Sequence, residues 1–258
     1  MQEIIAFANS LADKSGEIIQ KYFRQPFDVE SKDDQSPVTI ADREVEKALR
    51  EMIEAKFPDD SILGEEYGIV QGDSGRTWVI DPIDGTKSFM IGRPTFGTLI
   101  AVCDGDIPQI GIIDQPILKE RWVGDCTTTT MNGKAVKTRT CKDIHDARIG
   151  STTPMMFDKN EEYGRAYHLF EQNQSRMAWG GDCYMYGLIA SGYMDIAFEQ
   201  NLSPYDFAAL VPVIKGAGGH ISDWRGDELT LNSAGKVIAL GDPDLWPRID
   251  RTIKKSPF

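Results

Sequence analysis

The run FGTLIAVCDGDIPQIGIIDQPILKERWVGDC, residues 96–126, constrains the fold more than any other part of the chain. Apolar and β-branched residues fill it, and turn formers punctuate it. The spacing predicts a three-strand meander with a turn at Asp104-Gly105. Upstream, SILGEE and RTWVIDPI read as two more strands bounded by turns. Two helices precede them. Residues 3–24 carry Ile4, Ile5, Ala8, Leu11, Ala12, Ile18, Ile19, Tyr22 and Phe23 as a helical stripe. The second helix runs from about Ile40 to Lys56, with Val45, Ala48, Leu49, Met52 and Ile53 inward and Pro58 just past its end.

Near residue 140 the pattern changes to strands alternating with helices. ARIGST and SRMAWG are candidate strands, followed by a helix CYMYGLIASG that Gly192 ends. MDIAFE, HISDW and KVIALG are further strands, and LWPRIDRTIKK is a closing helix. SPYDFAALVPVIKGAGG reads as a helix with Pro204 near its start. Pro212 lies inside it, which predicts a kink or an early break. The pattern implies a mixed α/β, layered fold with a junction near residue 140.

Composition narrows the function. The chain has 258 residues, with 28 Lys and Arg against 40 Asp and Glu, a formal net charge of -12. That balance argues against nucleic acid or an anionic membrane surface as a partner, since both reward basic patches. Cys103, Cys126, Cys141 and Cys183 show no zinc-ligand spacing and read as reduced thiols. No apolar run approaches the ~20 residues that span a bilayer. The N-terminal segment lacks the features of a signal peptide, so a cytoplasmic location is expected.

The stretch WVIDPIDGTKSF, residues 78–89, carries the chemistry. Pro82 cannot continue a strand ladder, so Asp81 is expected at the strand's end, and a bend over Pro82-Ile83 brings Asp81 and Asp84 to one side. Two carboxylates so placed suit Mg²⁺, together with a backbone carbonyl, while Gly85 and a turn starting at Thr86 suit a phosphate. An Asx-type turn with Asp84 capping a helix accounts for the same residues. Glu65 and Glu66 close the SILGEE strand and point to opposite faces, as metal ligand and support or as a solvated strand end. Asp206 in the first turn of its helix and Asp42 in the capping-box spacing Thr39–Asp42 both have a structural reading as caps.

Taken together, these segments resemble the inositol monophosphatase-like family of metal-dependent phosphomonoesterases. The resemblance rests on KDDQSPVTIADREVE at 32–46, GEE at 64–66, WVIDPIDGTKSF at 78–89, and SPYDFAAL at 203–210 with AGG at 217–219. It implies an αβαβα layered sandwich of the inositol monophosphatase / fructose-1,6-bisphosphatase type. Residues 1–140 would carry most metal ligands, and residues 141–258 would carry Asp206 and the substrate-specificity residues. It further implies two or three Mg²⁺ per active site, contacted by Glu65, Asp81, the Ile83 carbonyl, Asp84 and Asp206. Thr86 and Asp42 would orient and deprotonate the attacking water, with Glu66 behind the ligands, and the backbones of Gly85 and Thr86 would hold the phosphate. Members of this family are commonly homodimers. His145, His168 and His220 have no part in this scheme.

The start of the late acidic helix reads Pro204-Tyr205-Asp206, where inositol monophosphatases proper usually have Trp-Asp. Residues 179–224 and 111–124 are most similar to the histidinol-phosphatase branch. Its substrate offers an ammonium and an imidazole, which ask for carboxylates. Asp182 and Glu199 each precede a predicted helix and are expected to meet the substrate; capping by Asp182 is the competing reading. Trp179 and Tyr184 are expected in the core. A small-molecule phosphate ester is thus the expected partner. Inositol phosphate or a broad set of sugar and nucleotide phosphates is the alternative, and a non-catalytic metal- or phosphate-binding protein is a rival class. No Arg/Lys cluster is set aside for a second phosphate.

Overall fold

The fold begins from the alternation that the meander announced. Strands β3 (Ser61–Gly64), β4 (Gly68–Val70), β5 (Arg76–Asp84), β6 (Gly97–Asp104), β7 (Ile107–Gln115), β8 (Glu120–Gly124), β9 (Thr129–Met131) and β10 (Lys134–Ala135) form one sheet in the order β10-β9-β8-β7-β6-β5-β3-β4. A separate two-stranded sheet pairs β1 (Val29–Ser31) with β2 (Pro37–Thr39). In β6, Leu99, Ala101 and Cys103 enter one core cluster while Ile100 and Val102 enter another, the period-two split of a sheet buried on both faces. In this computed structural model residues 1–25, 29–31, 37–157 and 176–254 are described. Residues 32–36, His168 and the Thr39 side chain of the expected capping box lie outside them.

Helices α1 (Gln2–Tyr22) and α2 (Ile40–Lys56) cover one face. Their Leu11, Ile19, Val45, Leu49 and Ile53 pack with Trp78, Ile80 and Ile100 of the sheet. Each such fully buried aliphatic side chain contributes roughly 1.5–3 kcal/mol. On the opposite face lie short helices: α4 (Tyr184–Ala190), α5 (Pro204–Phe207) and α6 (Leu210–Gly216), while α3 (Thr86–Met90) follows β5. These inner helices also pack on a second sheet of β11 (Ile149–Ser151), β12 (Met177–Trp179), β13 (Ile196–Glu199), β14 (His220–Ser222) and β15 (Val237–Leu240), ordered β12-β11-β13-β15-β14. Ala197, Val237 and Ala239 face the inner helices, whereas Ile196, Phe198, Ile238 and Leu240 face the outer cluster with Trp224 and Ile249. Ile249 belongs to the closing helix α7 (Trp246–Lys254). The result is the αβαβα sandwich. Among the described residues no helix is long and apolar enough to cross a membrane.

One expected break and three local differences from the sequence reading have physical causes. The helix expected over 204–217 splits at Ala208–Ala209 into α5 and α6. The ring of Pro212 conflicts with the carbonyl four residues earlier, at Ala208, so the break falls there. The meander turn is Gly105-Asp106, one residue later than expected, with Gly105 at φ 58. Asn132 and Gly133, at φ 49 and 76, close an unexpected β9–β10 hairpin. Finally, β3 stops at Gly64, so Glu65 and Glu66 sit in the turn to β4 rather than on a strand.

Candidate metal and phosphate site

In a regular strand, residues three apart point to opposite faces, so Asp81 and Asp84 should diverge. They do not. Strand β5 runs through Pro82 instead of ending at Asp81, and its pairing with β6 shifts: Asp81 faces Leu99, and Asp84 faces Gly97. The extra residue is a β-bulge at Pro82-Ile83. Pro82 has no N–H to lose from the ladder, and its carbonyl accepts a bond from Thr98 Oγ1 at 2.8 Å. The bulge restores parity, and one carboxylate oxygen from each of Asp81, Asp84 and Asp206 lies within 4.8 Å of the others.

Asp206 reaches this cluster from α5. Ser203 N donates to its Oδ2 at 2.6 Å, so the capping reading holds as well, and one carboxylate serves both roles. Asp84 Oδ2 accepts the N–H of Cys183 at 2.6 Å, which ties β5 to the start of α4. Thr86 Oγ1 donates to the Ile83 carbonyl at 3.2 Å. Gly85 has φ 83, and a Cβ there would meet the Asp182 carboxyl at 2.6–2.8 Å. Asp182 does not cap α4. Its Oδ2 accepts Ser88 Oγ at 2.6 Å and Thr95 Oγ1 at 3.3 Å. Across the cavity, Glu199 accepts the Thr152 N–H at 3.0 Å and the Tyr186 hydroxyl at 2.7 Å.

Glu65, Asp84, Gly85, Thr86, Asp182, Glu199 and Asp206 line one cavity of about 220 Å³. Lys87 is the one Lys or Arg on its wall among the described residues. Burial is the largest force on the carboxylates. It raises Asp81, which the charges of Glu65, Asp84, Asp206 and Asp42 push further. It raises Asp84, with Asp182 and Asp206 adding repulsion, and lifts Asp206 to about 7. Asp81 is 1% exposed and its Oδ1 is buried without a hydrogen-bond partner among the described residues. An orphaned buried oxygen among mutually repelling carboxylates is a site that a cation would relieve. The donor set is all oxygen, which fits a hard divalent ion. Glu65 stands on the cavity wall outside that tight cluster and acts on Asp81 and Asp206 through its charge. Asp42, 1% exposed, acts on Asp81 in the same way.

Glu66 is placed behind the cavity: its N–H donates to Glu46 Oε2 at 2.7 Å, and its carboxylate lies 3.8 Å from Arg43. Sequence reading missed Glu46, which also accepts the N–H of Tyr67 at 3.1 Å and so holds the turn that carries Glu65. Arg50 Nε fixes Glu46 from 2.8 Å. Gly64 leaves the room, since a Cβ there would lie 2.1 Å from Glu46 Oε1. The signal was legible: a Glu–Arg pair four apart on the apolar stripe of Val45 and Leu49. Ser88, Thr95, Thr152 and Tyr186 carried no comparable signal. Tyr184 packs against Trp122, as expected, but Trp179 is 40% exposed and is not a core residue. The described histidines, His145 and His220, do not line the cavity. A larger cavity of about 560 Å³ lies between α1 and β8, away from the carboxylate cluster. Its Arg121 spends its donors on Asp13, Asp114 and Asn9.

Comparison with known proteins gives the family and the fold. The profile of the inositol monophosphatase family matches residues 1–256. The chloroplastic bifunctional phosphatase IMPL2 of Arabidopsis thaliana is 45% identical over 255 residues, 95% of this chain and 73% of that protein. The histidinol-phosphatase of Chlorobaculum parvum is 36% identical over 242 residues, 91% of each. A solved structure described as an inositol monophosphatase from Zymomonas mobilis superposes with a TM-score of 0.89 at 42% identity, covering 98% of each chain.

Proposed function

The chain belongs to the inositol monophosphatase family and is a phosphatase; from that premise we propose that it hydrolyses L-histidinol phosphate to L-histidinol and phosphate, with Mg²⁺ as cofactor. The observation that carries the substrate is the second pair of acids. Asp182 and Glu199 line the cavity beside the metal-type cluster, each held by hydrogen bonds from neutral donors. Buried carboxylates so arranged await a cationic alcohol rather than a neutral polyol. The relatives described as histidinol-phosphatases support the same reading.

In this reading Asp81, Asp84, Asp206, Glu65 and the Ile83 carbonyl hold Mg²⁺. Bound there, it supplies an acidified water and offsets charge on the transferring phosphoryl group. Gly85 and Thr86 bind the phosphate through backbone N–H groups, and the left-handed Gly85 lets that backbone come close. Asp42 and Thr86 orient the water, with the Asp42 carboxylate as the final acceptor of its proton, and Glu66 steadies the turn bearing Glu65. Asp182 and Glu199 meet the cationic groups of the leaving alcohol, its ammonium and its imidazole. Residues 1–140 contribute most of the metal ligands and residues 141–258 contribute Asp206 and specificity, in a cytoplasmic homodimer.

The 42% identity to the Zymomonas structure favours a second reading, an inositol monophosphatase. Phosphate release from L-histidinol phosphate and from inositol 1-phosphate, with Mg²⁺ and with EDTA, separates them. Mg²⁺-dependent turnover with kcat/KM strongly favouring histidinol phosphate is expected. Equal rates would leave a broad phosphatase, and release insensitive to EDTA would sink the metal assignment.

A further inference from the structure

Glu199 is 3% exposed, and burial alone would favour its neutral form. Thr152 and Tyr186 oppose that: the Thr152 side chain, the Thr152 N–H at Oε1, 3.0 Å away, and the Tyr186 hydroxyl at Oε2, 2.7 Å away. These bonds favour the charged form, but burial outweighs them and leaves the carboxyl pKa above its ordinary value. Trp224 Nε1 donates to the Glu199 carbonyl at 3.0 Å, so backbone and side chain are both pinned. A carboxylate has about four acceptor positions, and these bonds do not fill them all, which leaves capacity for a ligand. Thr152, Tyr186 and Glu199 all line the cavity.

Tyr186 itself is 1% exposed, with its ring in the core between the two sheets. Burial and the Glu199 charge raise its hydroxyl pKa well above the ordinary value, so it remains a proton donor at neutral pH. A wholly buried hydroxyl spent on one carboxylate is a costly arrangement for packing alone, because phenylalanine would fill the same volume.

We propose that Tyr186 is a positioning residue that gives this cavity its selectivity for phosphate esters bearing a cationic group, by holding the Glu199 carboxyl group aimed at that cation. The proposal rests on the substrate class inferred above. The Tyr186 hydroxyl hydrogen-bonds Glu199. Its loss therefore weakens recognition of the cationic alcohol and leaves hydrolysis as such intact.

The test compares the Mg²⁺-loaded wild type with Tyr186→Phe on L-histidinol phosphate and on glycerol 2-phosphate, which has no amine. Tyr186→Phe is expected to raise KM for histidinol phosphate about tenfold, with kcat within about threefold, and to change kcat/KM for glycerol 2-phosphate less than about twofold. In a Glu199→Gln background the same replacement should add nothing, because its route to the substrate is gone. Glu199→Asp keeps the carboxyl group but withdraws it from the Tyr186 hydroxyl. It should reproduce the KM rise, and it decides the matter alone if Tyr186→Phe cannot be purified folded. Equal losses on both esters, additivity in the Glu199→Gln background, or an unchanged KM in Glu199→Asp would overturn the proposal. A wild type that does not prefer the cationic ester overturns the substrate reading and this proposal together. A wild type that prefers it while Tyr186→Phe keeps the preference overturns the proposal alone.

Discussion

Strands β3 and β5 run parallel, and their two ends treat buried carboxylates in opposite ways. At the N-terminal end, Asp60 is 7% exposed and saturated with donors. Its Oδ1 accepts Ser74 Oγ at 2.6 Å, and its Oδ2 accepts Trp78 Nε1 at 2.8 Å and Arg76 at 3.1 Å. At the C-terminal end, the same two strands deliver Glu65, Asp81 and Asp84 into a region where the charges acting on Asp81 and Asp84 are those of other carboxylates. The first end is built for the fold alone. The second withholds the cation that the first one has, and a parallel pair offers its ligand site at that end.

Breaking either end should therefore do opposite things. Asp84→Asn removes a charge from the crowded end while keeping an oxygen for the Cys183 N–H. Mg²⁺-dependent hydrolysis is expected to fall by about a thousandfold or more, while the melting temperature of the metal-free protein holds or rises. A variant with near-normal turnover would sink the cluster's assignment. Asp60→Ala leaves the Trp78 indole N–H buried without an acceptor, at a cost of about 2–3 kcal/mol in urea denaturation. Its folded molecules should keep their metal dependence, and a selective loss of metal response would erase the contrast between the two ends.

The contrast sharpens with pH. Burial and repulsion raise the folded-state pKa of Asp81, Asp84 and Asp206, the last to about 7. The metal-free fold then holds protons that the unfolded chain releases near pH 4. Stability present below that pH is lost as pH climbs through 7, by on the order of 2 kcal/mol for Asp206 between pH 5 and pH 7. Saturating Mg²⁺ should flatten that slope; a metal-free protein whose stability rises with pH would refute it. The smallest effect belongs to Asp182→Asn, which should raise KM for histidinol phosphate about tenfold with kcat little changed. An unchanged KM would remove Asp182 from the substrate site.

The sequence made the crowded end legible and the saturated end invisible. Asp81 and Asp84 stood out because two acids around a proline, followed by Gly-Thr, have few structural uses. Asp60, Ser74 and Arg76 are ordinary turn and strand residues whose network exists only once β3 lies beside β5. The same divide runs through the fold. The helical stripes of α1 and α2 and the β6–β8 meander follow from local periodicity, and Pro212 dictates a break. The bulge at Pro82-Ile83 needed the partner strand, because a register shift is a property of a pair. Asp182 lost its capping role to Ser88 and Thr95, which lie far away in sequence. Trp179 was assigned to the core on residue type alone, and edge position in β12 leaves it exposed.

The carboxylate cluster draws Asp81 and Asp84 from a long strand and Asp206 from a short helix between the sheets. Any ion it holds closes the chain between Asp84 and Asp206 into a loop, much as a disulfide would. Unlike a disulfide, that cross-link can be withdrawn by a chelator and restored at will. The large sheet and the helix bearing Asp206 would thus be joined by a reversible clasp, whose closure follows the concentration of free divalent ion.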